Sequence, residues 1–328
     1  MRSPRCLPRL TSSPRDQAGT GRCGRSARRS SHTTSGWMAI RMPDVSVCIV
    51  NWNTRDHLSA CLESLRAHAG ELELEVIVVD NASSDGTAQM VADQHPWVRL
   101  IALDQNIYYA AGNNVALREV TAPNVLLLNP DIVIEPGSVQ YLVTFLEEHP
   151  RAGAVAPRLR QPDGSIQLTC RSFPDPDVVI SEALGLSRLF PRSRRFGKYR
   201  MSWWEYSDER EVDQPMASAL MIRKAALDEV GHFDERFPMF FNDVDLCKRL
   251  KDAGWEIWFT PEVQMRHEGG ASTRQVRREM IRASHRGMLV YYAKHYSGRT
   301  CPVLYWTAVG LLKVGLWARL VLTLMRGR

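Results

Sequence analysis

The chain has 328 residues, enough for one large domain or two small ones with an ample core. Its 44% apolar and 24% charged residues are those of an ordinary globular protein, which excludes a fibrous or wholly disordered chain. The net charge of +6 is concentrated at one end. Residues 1–37 carry eight arginines against one acid, Asp16, a balance of +7 that leaves −1 for the rest. The body is near neutral, so charge makes no case for a nucleic-acid partner.

The basic head, taken as residues 1–43, is rich in Ser, Arg, Gly and Pro and lacks apolar periodicity, so disorder is expected. Its Arg/Ser-rich makeup hints at a transit peptide, which its prolines and glycines oppose. The plainer expectation is an over-extended reading frame with Met38 or Met42 as the start. Seven scattered cysteines without a C-x-x-C pair suggest buried thiols in a reducing compartment, not disulfides or zinc.

Val45–Val50 (VSVCIV) reads as a buried strand, followed by a polar turn and a helix over Arg55–His68 with apolar residues at 58, 61, 62 and 65. Leu74–Val79 is a second strand ending at Asp80. Ser84 and Asp85 are N-cap candidates for a helix to about Gln94. Val98–Leu103 is a third strand, Ala110–Val120 a helix, Val125–Leu128 a fourth strand, and Gly137–Glu148 a further helix. Strands alternating with helices predict an α/β fold with a mostly parallel, Rossmann-like sheet. Ligands of such sheets bind at the carboxyl ends of the strands. Here those ends carry Asn51 and Asn53, Asp80 and Asn81, and Asn129 and Asp131.

In the second half, Pro162-Asp163-Gly164 predicts a hairpin turn, and residues 172–212 an irregular stretch. Helices are expected near Lys224–Val230 and Val244–Ala253, a strand at Trp255–Phe259, and a long basic helix over Arg274–His295. The last segment is taken as 297–328, and its residues 303–325 are the most apolar stretch, interrupted by Lys313 and Arg319. Its longest charge-free run, Thr300–Leu312, falls short of the ~20 residues needed to span a bilayer. Two outcomes stay open: an amphipathic helix lying in a membrane interface, or a helix packed on the protein's own core.

Seven ordered segments carry a family resemblance: SVCIVNWN (46–53), VIVVDNASSDGT (76–87), NIYYAAGNN (106–114), LLLNPDIVI (126–134), ALMIRKAALDEVGHFDERF (219–237), FFNDVDLCKRL (240–250) and MRHEGGAS (265–272). Together they resemble the family-2 inverting nucleotide-sugar glycosyltransferases of GT-A fold, in particular the rhamnosyltransferase-like branch. The resemblance covers roughly residues 45–295.

It implies a divalent cation, Mg²⁺ or Mn²⁺, against the leaving diphosphate, and a carboxylate base for the acceptor. Asp243 matches the base. Asp131 and His267 match the metal-binding positions, with Asn129 replacing the family's first metal acid. Asn51, Asn53, Asp80 and Asn81 would line the nucleoside pocket, and Asp85 would cap a helix or touch the nucleotide. Asn106, Asn113 and Asn114 would border the donor sugar, and Gly112 would let the backbone approach it closely. Each has a plainer rival: Asn129-Pro130-Asp131 as a turn, Asp243 as a helix cap, His267 as a structural histidine. Asp245 is assigned to structure. Where the family shows Asn-Leu-Gly-Phe, this chain has Asn106-Ile107-Tyr108-Tyr109, and a tyrosine replacing glycine should alter the backbone or the pocket.

The implied donor is a UDP- or dTDP-linked sugar, and the acceptor a saccharide or lipid-linked saccharide of cell-wall polysaccharide or glycolipid. The implied location is cytoplasmic, peripheral at the inner face of the cell membrane. The alternative is a non-catalytic, membrane-anchored nucleotide-sugar-binding relative. A dinucleotide oxidoreductase is opposed by the lack of a G-x-G-x-x-G after the first strand.

Overall fold

The structure, a computed structural model, describes residues 42–268 and 277–326. The head up to residue 41, Arg274, and the Gly-Gly-Ala-Ser end of the seventh segment lie outside the described residues.

The first half follows the predicted alternation: β1 (Val45–Asn51), α1 (Arg55–His68), β2 (Leu74–Asp80), α2 (Thr87–Gln94), β3 (Arg99–Ala102), α3 (Tyr108–Leu117), β4 (Asn124–Leu128), β5 (Ile132–Ile134) and α4 (Ser138–Glu148). Then come β6 (Ala152–Arg160), β7 (Ile166–Gln167), β8 (Cys170–Arg171), α5 (Pro176–Ala183), α6 (Leu186–Leu189), β9 (Arg210–Glu211), β10 (Gln214–Pro215), β11 (Ala219–Arg223), α7 (Lys224–Val230), α8 (Asn242–Asp252) and β12 (Glu256–His267). Two helices close the described chain: α9 (Arg277–His295) and α10 (Pro302–Arg326).

The main sheet runs β3-β2-β1-β4-β11-β6-β12-β5, with β7 beside β6 and β9 beside β12. The first four strands are parallel, as expected. The sheet as a whole is mixed: β11 is antiparallel to both β4 and β6, and β5 is antiparallel to β12. The near-continuous apolar strands are buried on both faces. Val45, Val47 and Ile49 of β1 join the core under α1, α2 and α4, whereas Cys48 and Val50 join the core under α3, α8 and α9.

Several expectations need correction. The segment 172–212 is not wholly irregular. It holds α5 and α6, and Trp204 stacks on Tyr206 with ring centroids 4.1 Å apart, both edge-on to Phe259. The strand expected to end at Phe259 continues to His267, beyond a register shift. Thr260 pairs with Pro157 and Gln264 with the next residue, Arg158, so Pro261, Glu262 and Val263 form a bulge. α3 begins at Tyr108, two residues before the expected start, because the loop before it is pinned by Asn81.

The four cysteines of the described strands and helices up to α8 are buried and unpaired, and burial pushes the Cys170 thiol up to about 12. Asp245 is fully buried on α8 and bonded to Arg249, Lys294 and His295, which ties α9 to α8. α10 packs one face on the core through Ala308 and Val309 and leaves Trp306 and Trp317 65% and 69% exposed. Among the described residues no helix is long and apolar enough to cross a membrane.

Candidate active site

The topology brings the predicted polar residues to one edge. β1, β2 and β4 end there, and β12, parallel to β6, ends there at His267. β5 starts from the same edge, its first residue Ile132 paired with His267, so Asp131 just before it stands beside His267. The hydrogen bond from Glu268 N to Asp131 O, 3.0 Å, locks that register. A cavity of about 570 Å³ opens over this edge, within the usual range of small-molecule sites.

Of the predicted residues, Asn51, Asn81, Asn106, Asn129, Asp131, Asp243 and His267 line the cavity. The His267 ring is buried, and its Nδ1 lies 2.7 Å from Gln167 Oε1. An amide oxygen only accepts, so Nδ1 carries the proton and Nε2 presents its lone pair. Nε2 lies 3.3 Å from Asp131 Oδ1 but makes no hydrogen bond of adequate geometry. A buried imidazole lone pair facing a carboxylate, with the opposite nitrogen held by an amide, fits the N/O donor set and outer-shell support of a divalent cation. Among the described residues no group of three His, Cys, Asp or Glu side chains forms a fuller cage. Burial pushes the Asp131 carboxyl up, and only a protonated His267, charged beside it, brings the net shift downward; with the ring neutral, as a cation requires, that help is absent.

Asp243 sits in the first turn of α8, half-buried at the cavity wall, and accepts a 2.9 Å hydrogen bond from Val244 N. Its carboxyl is nevertheless raised, because burial outweighs these donors. A carboxylate moved toward neutrality is a stronger proton acceptor. Asn242 is buried and structural: its Oδ1 accepts from Asp243 N at 2.7 Å and its Nδ2 reaches Phe237 O.

The other predicted residues serve the frame. Asn51, although at the cavity edge, is fully buried, and its amide is engaged by Asp80, Ser83, Thr87 and Thr54, so its side chain knits the loops there. Asp80 accepts from Ser83, and Asn53 from Ser84 N, outside the cavity lining. Asp85 is no N-cap residue in the strict sense, since Gly86 occupies that position. Its carboxylate accepts from Arg55 N and Thr87 N, serving the first turns of α1 and α2 at once. Burial raises Asp85, and these donors outweigh it to leave the carboxyl below its ordinary value.

Gly112 does not face the cavity. A Cβ there would lie 2.9 Å from Val50 Cγ1 and 3.3 Å from Asn81 Nδ2, so the glycine lets α3 lie close on β1. Asn113 donates back to Tyr109 O, and Asn114 clips α3 to Phe233 and Glu235. Neither borders the cavity, because both side chains satisfy buried backbone.

Tyr108 keeps a left-handed backbone, φ +65°, the conformation glycine takes most easily, and is 50% exposed at the cavity wall. The substitution therefore changes the pocket lining while the backbone path is kept, helped by Asn106 Oδ1 accepting from Tyr108 N. Asn53, Ala82 and Phe241 are left-handed as well, so strain clusters at this edge. Sequence reasoning missed Gln167 and Ser83. Gln167 lies on the two-residue return strand of the predicted hairpin, where its only sequence signal is the preceding turn.

A single cavity at the sheet edge, lined by a raised carboxylate and by an Asp–His pair, makes a candidate site for group transfer. The description "Glycosyl transferase family 2" matches residues 46–208. The chain is 33% identical over 283 residues to the N-acetylglucosaminyl-diphospho-decaprenol L-rhamnosyltransferase of Mycobacterium tuberculosis, covering 83% of this chain and 91% of that protein. It is 26% identical to rhamnosyltransferase WbbL of Escherichia coli, over 68% of this chain and 83% of the relative. Among solved structures, the mannosyltransferase PcManGT of Pyrobaculum calidifontis, in complex with GDP-Man and Mn²⁺, superposes with a TM-score of 0.52 at 18% identity, over 86% of this chain and 76% of that one. That likeness shows the GT-A fold. The chain belongs to glycosyl transferase family 2, in its rhamnosyltransferase-like branch. It is a nucleotide-sugar glycosyltransferase of cell-surface polysaccharide synthesis, and the non-catalytic alternative is not favoured.

Proposed function

We propose that this enzyme transfers rhamnose, with inversion, from a dTDP- or UDP-linked donor to a hydroxyl of a lipid-linked saccharide at a membrane surface. The observation that carries the reading is the convergence, in one cavity, of the raised Asp243 carboxylate and the Asp131–His267 pair with its unpartnered Nε2. Asp243 Oδ accepts the proton of the acceptor hydroxyl as its oxygen attacks the anomeric carbon. The sugar–phosphate bond breaks on the opposite face, and the nucleoside diphosphate leaves. Asp131 and His267 would hold a Mg²⁺ or Mn²⁺ ion, which supplies positive charge against the leaving diphosphate. Asn81 anchors Ile107 and Tyr108 and so shapes the wall where the donor sugar would lie.

The rhamnosyl donor and lipid-linked acceptor are supported by the similar mycobacterial enzyme, whose name specifies a diphospho-decaprenol substrate. Peripheral attachment is supported by the outer face of α10, with Val303, Trp306, Val314 and Trp317 exposed. A donor screen reading released nucleoside diphosphate, with and without EDTA, tests the assignment. Turnover of a sugar nucleotide other than dTDP- or UDP-rhamnose in preference to both would overturn the donor, and full activity in EDTA would overturn the metal.

A further inference from the structure

A second cavity, of about 370 Å³, lies between α5, α9 and α10 and is used by nothing described above. Its walls are apolar: Val178 and Val179 of α5, Met288 of α9, Leu311 and Leu312 of α10, and the ring of Phe241. Arg188, Arg200 and His285 also line it, two permanent cations and an imidazole. Glu182 is the single acid of the lining. Its Oε2 is 3.7 Å from Arg200 Nε, while its Oε1 is buried with no hydrogen-bond partner.

Phe241 makes this cavity part of a longer path. It borders the second cavity, while the flanking Phe240 and Asn242, and Asp243 one residue further on, border the first, so the segment 240–243 is shared by both. The approach of α9 is equally close. A Cβ on Gly287 would lie 3.0 Å from Phe240 O and 3.2 Å from Phe241 Cδ2. The two elements that build the cleft also present apolar surface outward. α10 supplies Leu311 and Leu312 while Trp306 and Trp317 are exposed, and α6 supplies Arg188 while the next residues, Leu189 and Phe190, are exposed.

Apolar walls, a cationic pair and a buried acceptor without a donor are three chemistries that one ligand combines: a hydrocarbon chain, an anionic diphosphate and a sugar hydroxyl. We infer that this cleft binds the lipid-diphosphate portion of the acceptor. The first isoprenoid units lie along Val179, Met288 and Leu312, and the diphosphate lies at Arg188 and Arg200. Glu182 accepts from a hydroxyl of the attached sugar, which extends past Phe241 toward Asp243. The inference rests on the lipid-linked acceptor proposed above and gives that acceptor a place.

The test uses the full chain and farnesyl diphosphate as probe, with titrations of inorganic pyrophosphate, farnesol and phosphatidylglycerol vesicles alongside. Wild type is expected to bind farnesyl diphosphate more tightly than pyrophosphate or farnesol. Val179→Trp, which fills the cleft, should weaken the probe roughly tenfold or more, the discrimination an apolar pocket achieves against a misfitting group. The exposed double change Arg188→Ala with Arg200→Ala should weaken it similarly, and unchanged nucleoside diphosphate affinity shows that both variants are folded. Equal binding of pyrophosphate, or undiminished probe binding by the variants, would overturn the site. Equal competition by phosphatidylglycerol would make the cleft a bilayer contact and overturn the acceptor assignment. Wild type that binds the probe in this cleft yet transfers to no lipid-linked saccharide would instead count against the proposed reaction, which separates the two failures.

Discussion

Nε2 of His267 faces Oδ1 of Asp131 across 3.3 Å, buried, with no hydrogen bond to relieve it. The pairing follows from the sheet: His267 ends β12, and Asp131 precedes the residue of β5 that pairs with it. Gln167, by accepting from Nδ1, fixes which nitrogen looks inward. Gln167→Leu should therefore weaken Mn²⁺ binding in the presence of nucleoside diphosphate about 10–100-fold, the usual effect of losing an outer-shell partner. Asp131→Ala should abolish it. Calorimetric titration of both variants checks this, and unchanged Mn²⁺ affinity in Gln167→Leu would refute the tautomer argument.

Asp243→Asn should lower kcat by at least ~10²-fold while donor binding survives, as expected for a removed base. Burial raises this carboxyl, so its ionised form costs stability once pH rises through the folded-state value. The asparagine variant should consequently melt at a higher temperature than wild type at neutral pH. On the acid side, wild-type kcat should fall as the raised carboxyl takes up its proton, at higher pH than an ordinary aspartate would dictate. Scanning calorimetry and a pH–rate profile decide both points; a less stable Asp243→Asn protein would contradict the burial argument.

Asp245 has the opposite balance. It is buried too, but His295, Lys294 and Arg249 outweigh burial and hold the carboxyl below its usual value. Its stabilisation is present above the unfolded-state value and is lost as pH falls through the folded one. Asp245→Ala should cost about 3–5 kcal/mol by leaving these partners uncompensated. Urea unfolding measures this, and a loss under 1 kcal/mol would show that α9 is held by packing alone.

Tyr108→Gly should relieve left-handed strain and leave stability unchanged or raised by about 1 kcal/mol. It also removes an aromatic ring from the cavity wall, so discrimination among donor sugars should loosen. Comparing kcat/KM for several sugar nucleotides tests this; an unchanged ratio would show that the ring does not meet the donor.

Trp306→Glu with Trp317→Glu should abolish flotation with anionic liposomes and leave the fold intact, because both rings are exposed while Ala308 and Val309 hold α10 to the core. A double variant that still floats would place the membrane contact elsewhere.

The parallel half of the sheet was legible because two-sided burial writes itself as unbroken apolar strands, and the Asn and Asp residues at their ends marked the edge over which the larger described cavity opens. The roles of those residues were less legible. Asn51, Asn113 and Asn114 look like ligand-binding amides in one dimension. In three they satisfy buried backbone and side-chain groups from loops as distant as residue 233. The partner of His267 was hidden for the same reason: Gln167 lies 100 residues away in sequence. Tyr108 was legible as an anomaly, but sequence alone could not show that the backbone would keep its left-handed turn.

The bulge at Pro261–Val263 sets the parity of everything after it on β12. Side chains on a strand alternate faces, so a net shift of one residue exchanges the two sides. Deleting a single residue from the bulge would put Glu268 in the place of His267, setting carboxylate against carboxylate at Asp131. Any change in the length of that turn carried forward along β12 would therefore bring a residue other than His267 opposite Asp131.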